Sequence, residues 1–321
     1  MPNATHHPSD KIVITGAAGL VGQNLVTLLG EQGYTQLVAI DKHADNLAVM
    51  QRMHPGVHTV LADLAEPGPW AQAFDGAAVV VQLHAQIAGK TMAPFERNNI
   101  TATRQVLRVL QALPVPPYLV HASSSVVKSV ADDFYVRSKT TQEQIVRASG
   151  LRHCALRPTL MFGWFDPKHL GWLARFMARV PVFPIPGHGR YMRQPLYNRD
   201  FCRAIVAMMR SQPDGAVHDL TGPDRIDYID MIRVIRDAQG LKTPIVRVPI
   251  PLFAAMLHLY GLFSAKPPFT PDQLVALTAG DDFTGVDLQQ VFGFAPTPFR
   301  DAIRETFGHP VYSSVVLESP H

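Results

Sequence analysis

The stretch "KIVITGAAGLVGQNL", Lys11 to Leu25, decides the fold. A short apolar run ends at Thr15, glycines follow at Gly16, Gly19 and Gly22, and an amphipathic segment begins among them. A strand that enters a glycine turn and opens a helix has a physical purpose. One glycine permits the tight turn, and the others let backbone approach a pyrophosphate and pack helix against strand. The N–H groups at the helix start then face the phosphate charge. Gly16, Ala18, Gly19, Leu20, Val21 and Gly22 are therefore candidate dinucleotide contacts.

Outward from this turn, "QLVAID", "VHTVLAD", "AAVVVQLHA", "PPYLVHASS" and "LRHCALRP" are five more short, nearly continuous apolar runs. Strands buried on both faces of a parallel sheet read this way. Helix-period segments alternate with them: Leu20 to Gln32, Ala44 to Met53, Trp70 to Phe74, Asn99 to Ala112 and Phe134 to Ser149. The alternation predicts an α/β protein with a Rossmann-type, doubly wound parallel sheet. Residues 1–10 read as a mobile tail and 11–157 as the dinucleotide-binding domain. Prolines and glycines crowd "VPVFPIPGHGRYMRQP" after Pro158. Residues 158–310 therefore read as a smaller, mainly helical substrate-binding region, some of whose segments return to the sheet, and 311–321 as a tail.

Composition narrows the function. A net charge of +3 over 321 residues, with Lys and Arg scattered, gives no nucleic-acid footprint. Cys154 and Cys202 each sit in an apolar run, as buried thiols of a reducing compartment do, and the histidines show no metal-ligand spacing. The N-terminus lacks a signal pattern, so a cytoplasmic location is expected. "IPLFAAMLHLYGLF", from Ile250, is too short to span a bilayer and reads as a core or pocket-lining helix rather than a membrane contact.

The pattern "TGxxGxxG" resembles the short-chain dehydrogenase/reductase superfamily, above all its extended branch of nucleotide-sugar epimerases, dehydratases and reductases. The resemblance runs from about Lys11 to Ile205. It implies that Asp41, ending the second strand, takes the ribose hydroxyls of NAD and would repel the 2′-phosphate of NADP, with Lys42 beside it weakening the preference. "ADL", ending in Asp63 and Leu64, matches an adenine contact. "QLHAQIAG" resembles the family's "HLAAQ" turn through Gln82, Leu83, His84, Ala85 and Gln86. His84 replaces a small residue there, and either stacks near the nicotinamide ribose or sits at the cleft edge. "NNITATRQVL" resembles "NVxGTxNVL", making Asn99 a brace beneath the cofactor, with Thr103 following on the same helix.

"HASSSVVKSVADDFYVRSK", His121 to Lys139, then falls where this superfamily keeps its chemistry. Tyr135 and Lys139 are four apart and share a helix face. The ammonium favours the phenolate, which takes a hydroxyl proton while a serine holds the substrate oxygen. Both Tyr135 and Lys139 are expected to touch the cofactor as well. The serine-to-tyrosine gap is shorter than usual in the extended branch, and "VVKS" replaces the usual "xVYG". Counting back from Val127 selects Ser124, and counting along the triplet selects Ser125.

"ALRPTLMFG" resembles "LRxxNVYG", bringing Pro158 to the cofactor and Leu160 to a position where sugar-nucleotide enzymes carry asparagine. "GHGRYMRQPLYNRDFCRAI" resembles a family motif that places Arg193 as a fork for a diphosphate, with Arg190 in the same loop and Asp200 capping the next helix. The first expectation is an NAD-dependent enzyme on a nucleotide sugar, of the 4-epimerase or 4-keto-reductase type. "SSSVVK" lacks the acidic pair of a 4,6-dehydratase. Two alternatives stand. One is a dehydrogenase or reductase of an apolar, sterol-like alcohol, for which Leu160, Met161, Phe162, Trp164 and the Ile250 segment suit the pocket. The other is a non-catalytic NAD-binding sensor or assembly protein. The resemblance also implies a homodimer built from the helices at Asn99–Ala112 and Phe134–Ser149.

Overall fold

The computed structural model describes residues 7–129, 133–263, 274, 277, 278, 280 and 283–318. Its main sheet contains β1 (Ile12–Thr15), β2 (Leu37–Asp41), β3 (His58–Leu61), β4 (Val79–Gln82), β5 (Tyr118–Ala122), β6 (His153–Pro158) and β7 (Ala216–Leu220). The strand order is β7-β6-β5-β4-β1-β2-β3, and every neighbouring pair is parallel. This is the Rossmann-like arrangement that the alternation predicts. The order reverses between β1 and β4, so their carboxyl ends flank the crevice where such sheets bind ligands. β1, β2 and β4 are buried along their whole length, which explains their unbroken apolar sequences.

Helix α1 (Leu20–Glu31) covers one face, and α2 (Ala44–Met53) follows β2. The opposite face is covered by α3 (Ala102–Ala112), α4 (Phe134–Arg147) and a 3₁₀ turn at Pro69–Phe74, through Val106, Leu110, Val146, Trp70 and Phe74. Further on, α5 (Leu170–Met177), α7 (Tyr228–Ala238) and α9 (Phe299–Gly308) build a second core around Ala174, Ile232, Ile235, Ala302 and Ile303. Between α5 and α7 lies α6 (Asn198–Ser211), and between α7 and α9 lies α8 (Ile250–Phe263).

Segments beyond residue 158 return to the sheet: α6 packs beside α1, with Phe201 and Ile205 in one core with Leu25 and Leu29, and β7 completes the sheet. Each such buried side chain contributes about 1.5–3 kcal/mol. The helix expected from Asn99 starts earlier, as a turn at Met92–Phe95 that continues through a π-helical segment, Glu96–Thr101. Asp200 does not cap α6. The cap position is Tyr197, and the Asp200 carboxylate instead accepts from the Thr297 amide (2.6 Å) and hydroxyl (2.9 Å), pinning α6 to the approach of α9. Residues 311–318 pack on the protein. Leu317 joins Trp164 and Phe165 in a small core, and Glu318 exchanges backbone bonds with the Asn46 side chain.

Candidate active site

The glycine turn is built for backbone contact. Gly16 has φ +69°, and a Cβ there would lie 2.5 Å from the His84 nitrogen. A Cβ on Gly22 would lie 2.1 Å from the Ala17 carbonyl oxygen. Gly19 opens α1 in extended conformation with no side-chain cap, which leaves the first-turn amides available to an anion. Asp41 is tied to the same turn: its carboxylate accepts from the Ala18 amide at 2.9 Å and the His43 amide at 3.0 Å. Lys42 is exposed and donates to Asn98 Oδ1 at 2.8 Å. Asp63 accepts from the Ala65 amide and from Arg97, both at 3.0 Å. Burial pushes its carboxyl up, but the Ala65 amide and Arg97 outweigh this and leave it lowered. Leu64 is buried, Leu83 half-buried and Ala85 exposed, just past the carboxyl ends of β3 and β4.

Asn99 lies on the π-helical segment and is fully buried. Its side chain accepts from the Gln86 amide and donates to the Gln86 carbonyl at 3.1 Å and to Ser138 Oγ at 2.9 Å. Ser138 in turn donates to the Tyr135 carbonyl at 3.0 Å. Asn99 therefore braces the loop after β4 against the helix that carries Tyr135 and Lys139.

The structure brings Ser124, Tyr135 and Lys139 to the carboxyl end of β5. Burial raises the Tyr135 pKa, and the neighbouring Ser124 side chain opposes the rise. Ser125 is buried and opens a 3₁₀ turn, Ser125–Lys128, while Ser123 donates to Glu143 at 2.6 Å. Of the three serines, Ser124 is the one whose side chain acts on the Tyr135 phenol's proton affinity. Lys139 is 1% exposed and donates to the Ala122 carbonyl (2.9 Å) and Gln142 Oε1 (2.6 Å). Burial pulls its pKa down to about 7, against the pull of Glu143.

Behind the lysine runs a polar chain. Gln142 and Gln82 donate to Thr103 Oγ1 at 3.0 and 2.7 Å, so the Thr103 proton goes to His84 Nε2, 3.2 Å away. The ring proton of His84 then sits on Nδ1 and donates to Thr15 Oγ1 at 2.8 Å. Burial, followed by the charges of Lys139 and Lys42, drives the His84 pKa down to about 3. The half-buried imidazole is thus held between Thr15 and Thr103, just past the carboxyl end of β4. A second network was also unforeseen: Glu143 binds Arg157 (2.9 Å), and Asp219 on β7 binds Lys128 (2.6 Å) with Arg157 at 3.8 Å. Polar residues set in buried strands and helix faces, such as Thr15, Gln82 and Gln142, were the available signal.

Residues 12–219 match the profile of the NAD dependent epimerase/dehydratase family. The chain belongs to that family. Its relatives include a ceramide reductase of Caulobacter vibrioides, 26% identical over 75% of this chain and 74% of the relative. Another is a 3 beta-hydroxysteroid dehydrogenase/Delta 5-->4-isomerase of Mycobacterium tuberculosis, 23% identical over 75% of this chain and 72% of the relative. A 3beta-hydroxysteroid-dehydrogenase/decarboxylase of Arabidopsis thaliana is 22% identical over 92% of this chain, which spans only 61% of that protein. Among solved structures, WbmF of Bordetella bronchiseptica with NAD+ superposes with a TM-score of 0.73 at 17% identity, over 94% of this chain and 92% of that one. The UDP-glucuronic acid 4-epimerase of Bacillus cereus, also with NAD, gives 0.70 at 19% identity, over 93% and 98%. The family is NAD-dependent, and the uncapped α1 start and the positions closed to a Cβ at Gly16 and Gly22 fit that cofactor.

The residues expected on the substrate side are mostly buried or half-buried. Pro158 is buried at the end of β6, and Leu160 packs half-buried against the second core. Arg193 is only 7% exposed, and its guanidinium donates to the Leu277 carbonyl. Arg190 is exposed, with its backbone amide on the His188 ring at 2.9 Å. Phe162 packs on Tyr197 and Phe299, and Trp164 on His309 and Tyr312, so both are core residues rather than pocket lining. Met161 remains half-buried.

Proposed function

We propose that this protein is an NAD-dependent dehydrogenase or reductase of an apolar secondary alcohol or ketone. The observation that carries this reading is the burial of Arg193. The residue expected to fork a diphosphate is 7% exposed and bonded to a backbone carbonyl. Leu160, standing at the usual asparagine position, adds no polar group. Relatives that act on ceramide or hydroxysteroids support the same class of substrate.

Bound NAD would supply the hydride acceptor, or NADH the donor, at the carbon bearing the substrate oxygen. Ser124 holds that oxygen and Tyr135 exchanges a proton with it: the phenol gives the proton in reduction and the phenolate takes it in oxidation. Lys139, buried within the same helix turn as Tyr135, favours the phenolate when charged. Asn99 and Ser138 fix the orientation of that helix.

The test pairs a turnover panel with a thermal-shift panel. Hydroxysteroids and keto-ceramides are offered with NAD or NADH, while UDP, GDP and dTDP are offered with NAD present. Turnover of an apolar compound without stabilisation by any nucleoside diphosphate is expected. Stabilisation by one of the three would replace this reading with the nucleotide-sugar one.

A further inference from the structure

Helix α8, "IPLFAAMLHLYGLF", contains no charged residue. A helix that is apolar on every side belongs in a core or in a nonpolar medium. Only part of it meets protein. Phe253 is 9% exposed, whereas Leu252, Met256 and Leu259 are 56%, 45% and 59% exposed. These three follow i, i+4, i+7 spacing and so form one stripe.

Other exposed apolar side chains lie on the segments around the helix. Ile250 is 41% exposed and abuts the Gly187 loop. Val246, 45% exposed, lies on the strand Ile245–Val248, which pairs in parallel with Phe183–Pro186. Val182, 42% exposed, directly precedes that partner strand. Exposed cations lie on the same neighbouring segments: Lys242 and Arg247 on the approach to α8, and Arg190 on the loop that Gly187 ties to Val248. From Leu241 to Phe263 the sequence has no Asp or Glu.

We propose that this face docks on the surface of a lipid bilayer carrying anionic headgroups. An apolar stripe with a basic margin meets both layers of such a surface. The side chains of Leu252, Met256 and Leu259 enter the acyl boundary, while Lys242, Arg247 and Arg190 reach lipid phosphates. The helix lies in the interface and does not cross it, being far shorter than a span requires. A second copy of this chain is the poorer occupant. A two-fold contact through this face would bring cations of both copies together without a carboxylate from Leu241–Phe263 to answer them. Docking goes beyond the reaction, and its test needs no substrate.

Full-length protein is sedimented with vesicles of phosphatidylcholine alone and with vesicles also containing phosphatidylglycerol. Sedimentation with the anionic vesicles, weakened by salt, is expected. The triple substitution Leu252→Glu, Met256→Glu, Leu259→Glu should weaken this binding at least about tenfold, through the lost apolar burial. Its circular dichroism and NAD affinity should stay as in the parent. Lys242→Glu with Arg247→Glu should remove the preference for phosphatidylglycerol. Parent protein that stays in the supernatant with both vesicles overturns the proposal, as does a folded triple variant that sediments equally well. A parent dimer in size-exclusion chromatography that the triple variant loses, without vesicle binding, assigns the face to a second copy and also overturns it.

Discussion

Two glycine loops of this chain, Gly16–Gly22 and Gly187–Arg193, look alike in sequence and are packed differently. In the first, a Cβ on Gly16 or Gly22 would strike backbone, and the amides opening α1 have no side-chain cap. In the second, a Cβ on Gly187 would lie 2.4 Å from the Tyr191 hydroxyl, and one on Gly189 2.8 Å from the Ile185 side chain. Those glycines seat the protein's own side chains, and the arginine that ends the loop binds the protein's own carbonyl. Glycine spacing alone does not distinguish a ligand cradle from a packed turn. What distinguishes them is whether the polar groups around the turn are left for a ligand or consumed within the fold.

The largest effect that would break this contrast lies beside the first loop. Tyr135→Phe should lower turnover on an apolar substrate about 10²–10⁴-fold while leaving NAD affinity nearly unchanged by fluorescence titration. Ser124→Ala should be the more damaging of the serine changes and Ser125→Ala the milder. The reverse order would move the site away from the Tyr135–Ser124 contact.

Lys139 offers the next largest effect, and its sign is unusual. Its folded pKa is near 7 against an ordinary value of 10.5. Between those values the unfolded chain holds one more proton than the folded chain, so stability at this site rises with pH; below pH 7 the burial cost is present in full. Lys139→Met removes that burial cost, on the order of a few kcal/mol near neutrality, and is offset in part by the lost bonds to Ala122 and Gln142; relative to the parent, its stability should therefore fall as pH rises toward 10.5. Denaturant titrations across that range read it directly, and a relative stability that grows with pH would contradict the buried cation. Activity should be lost in the same variant.

In the second loop, Arg193→Met should cost about 1.5–3 kcal/mol of stability and leave the response to UDP, GDP and dTDP unchanged. A variant of ordinary stability that alone loses a nucleotide response would restore the diphosphate fork. Gly22→Ala and Gly187→Ala sharpen the comparison further. Both should lower the melting temperature, by about 1–3 kcal/mol of overpacking, but only Gly22→Ala should impair NAD binding.

β1, β2, β4, β5 and β6 were legible because burial on both faces leaves a nearly unbroken apolar signature, whereas the edge strand β3 is half exposed and was legible from its β-branched Thr59 and Val60 between two helical segments. β7, "AVHDL", carries His218 and Asp219 and is mostly half-buried at the sheet edge, so it lacks that apolar signature. The choice of serine was illegible for another reason. The Ser123 amide bonds the Leu156 carbonyl, so the neighbouring strand, and not the count along the chain, fixes which hydroxyl faces Tyr135. The chain from Lys139 through Gln142 to Thr103 joins residues 39 positions apart, beyond any local pattern. The exposed stripe of α8 hid behind its composition, since an apolar helix reads as core whichever side it turns outward.

The smallest effect concerns cofactor choice. Asp41 holds the Ala18 amide at 2.9 Å and the His43 amide at 3.0 Å, so its carboxylate is fixed at the end of β2 beside the glycine turn. There it would sit close to a 2′-phosphate and repel it, while Lys42, bonded to Asn98, is held by another partner. Asp41→Asn removes the charge but keeps an acceptor for one of the two amides. The ratio of NAD to NADP affinity should then fall about tenfold, equivalent to about 1.4 kcal/mol, through tighter NADP binding more than weaker NAD binding. Isothermal titration of both cofactors separates the two contributions. An unchanged ratio would mean that Asp41 serves only to hold the turn, and the preference for NAD would have to come from the shape of the cleft. In that case even the first loop would owe part of its order to the protein's own contacts, as the second loop does.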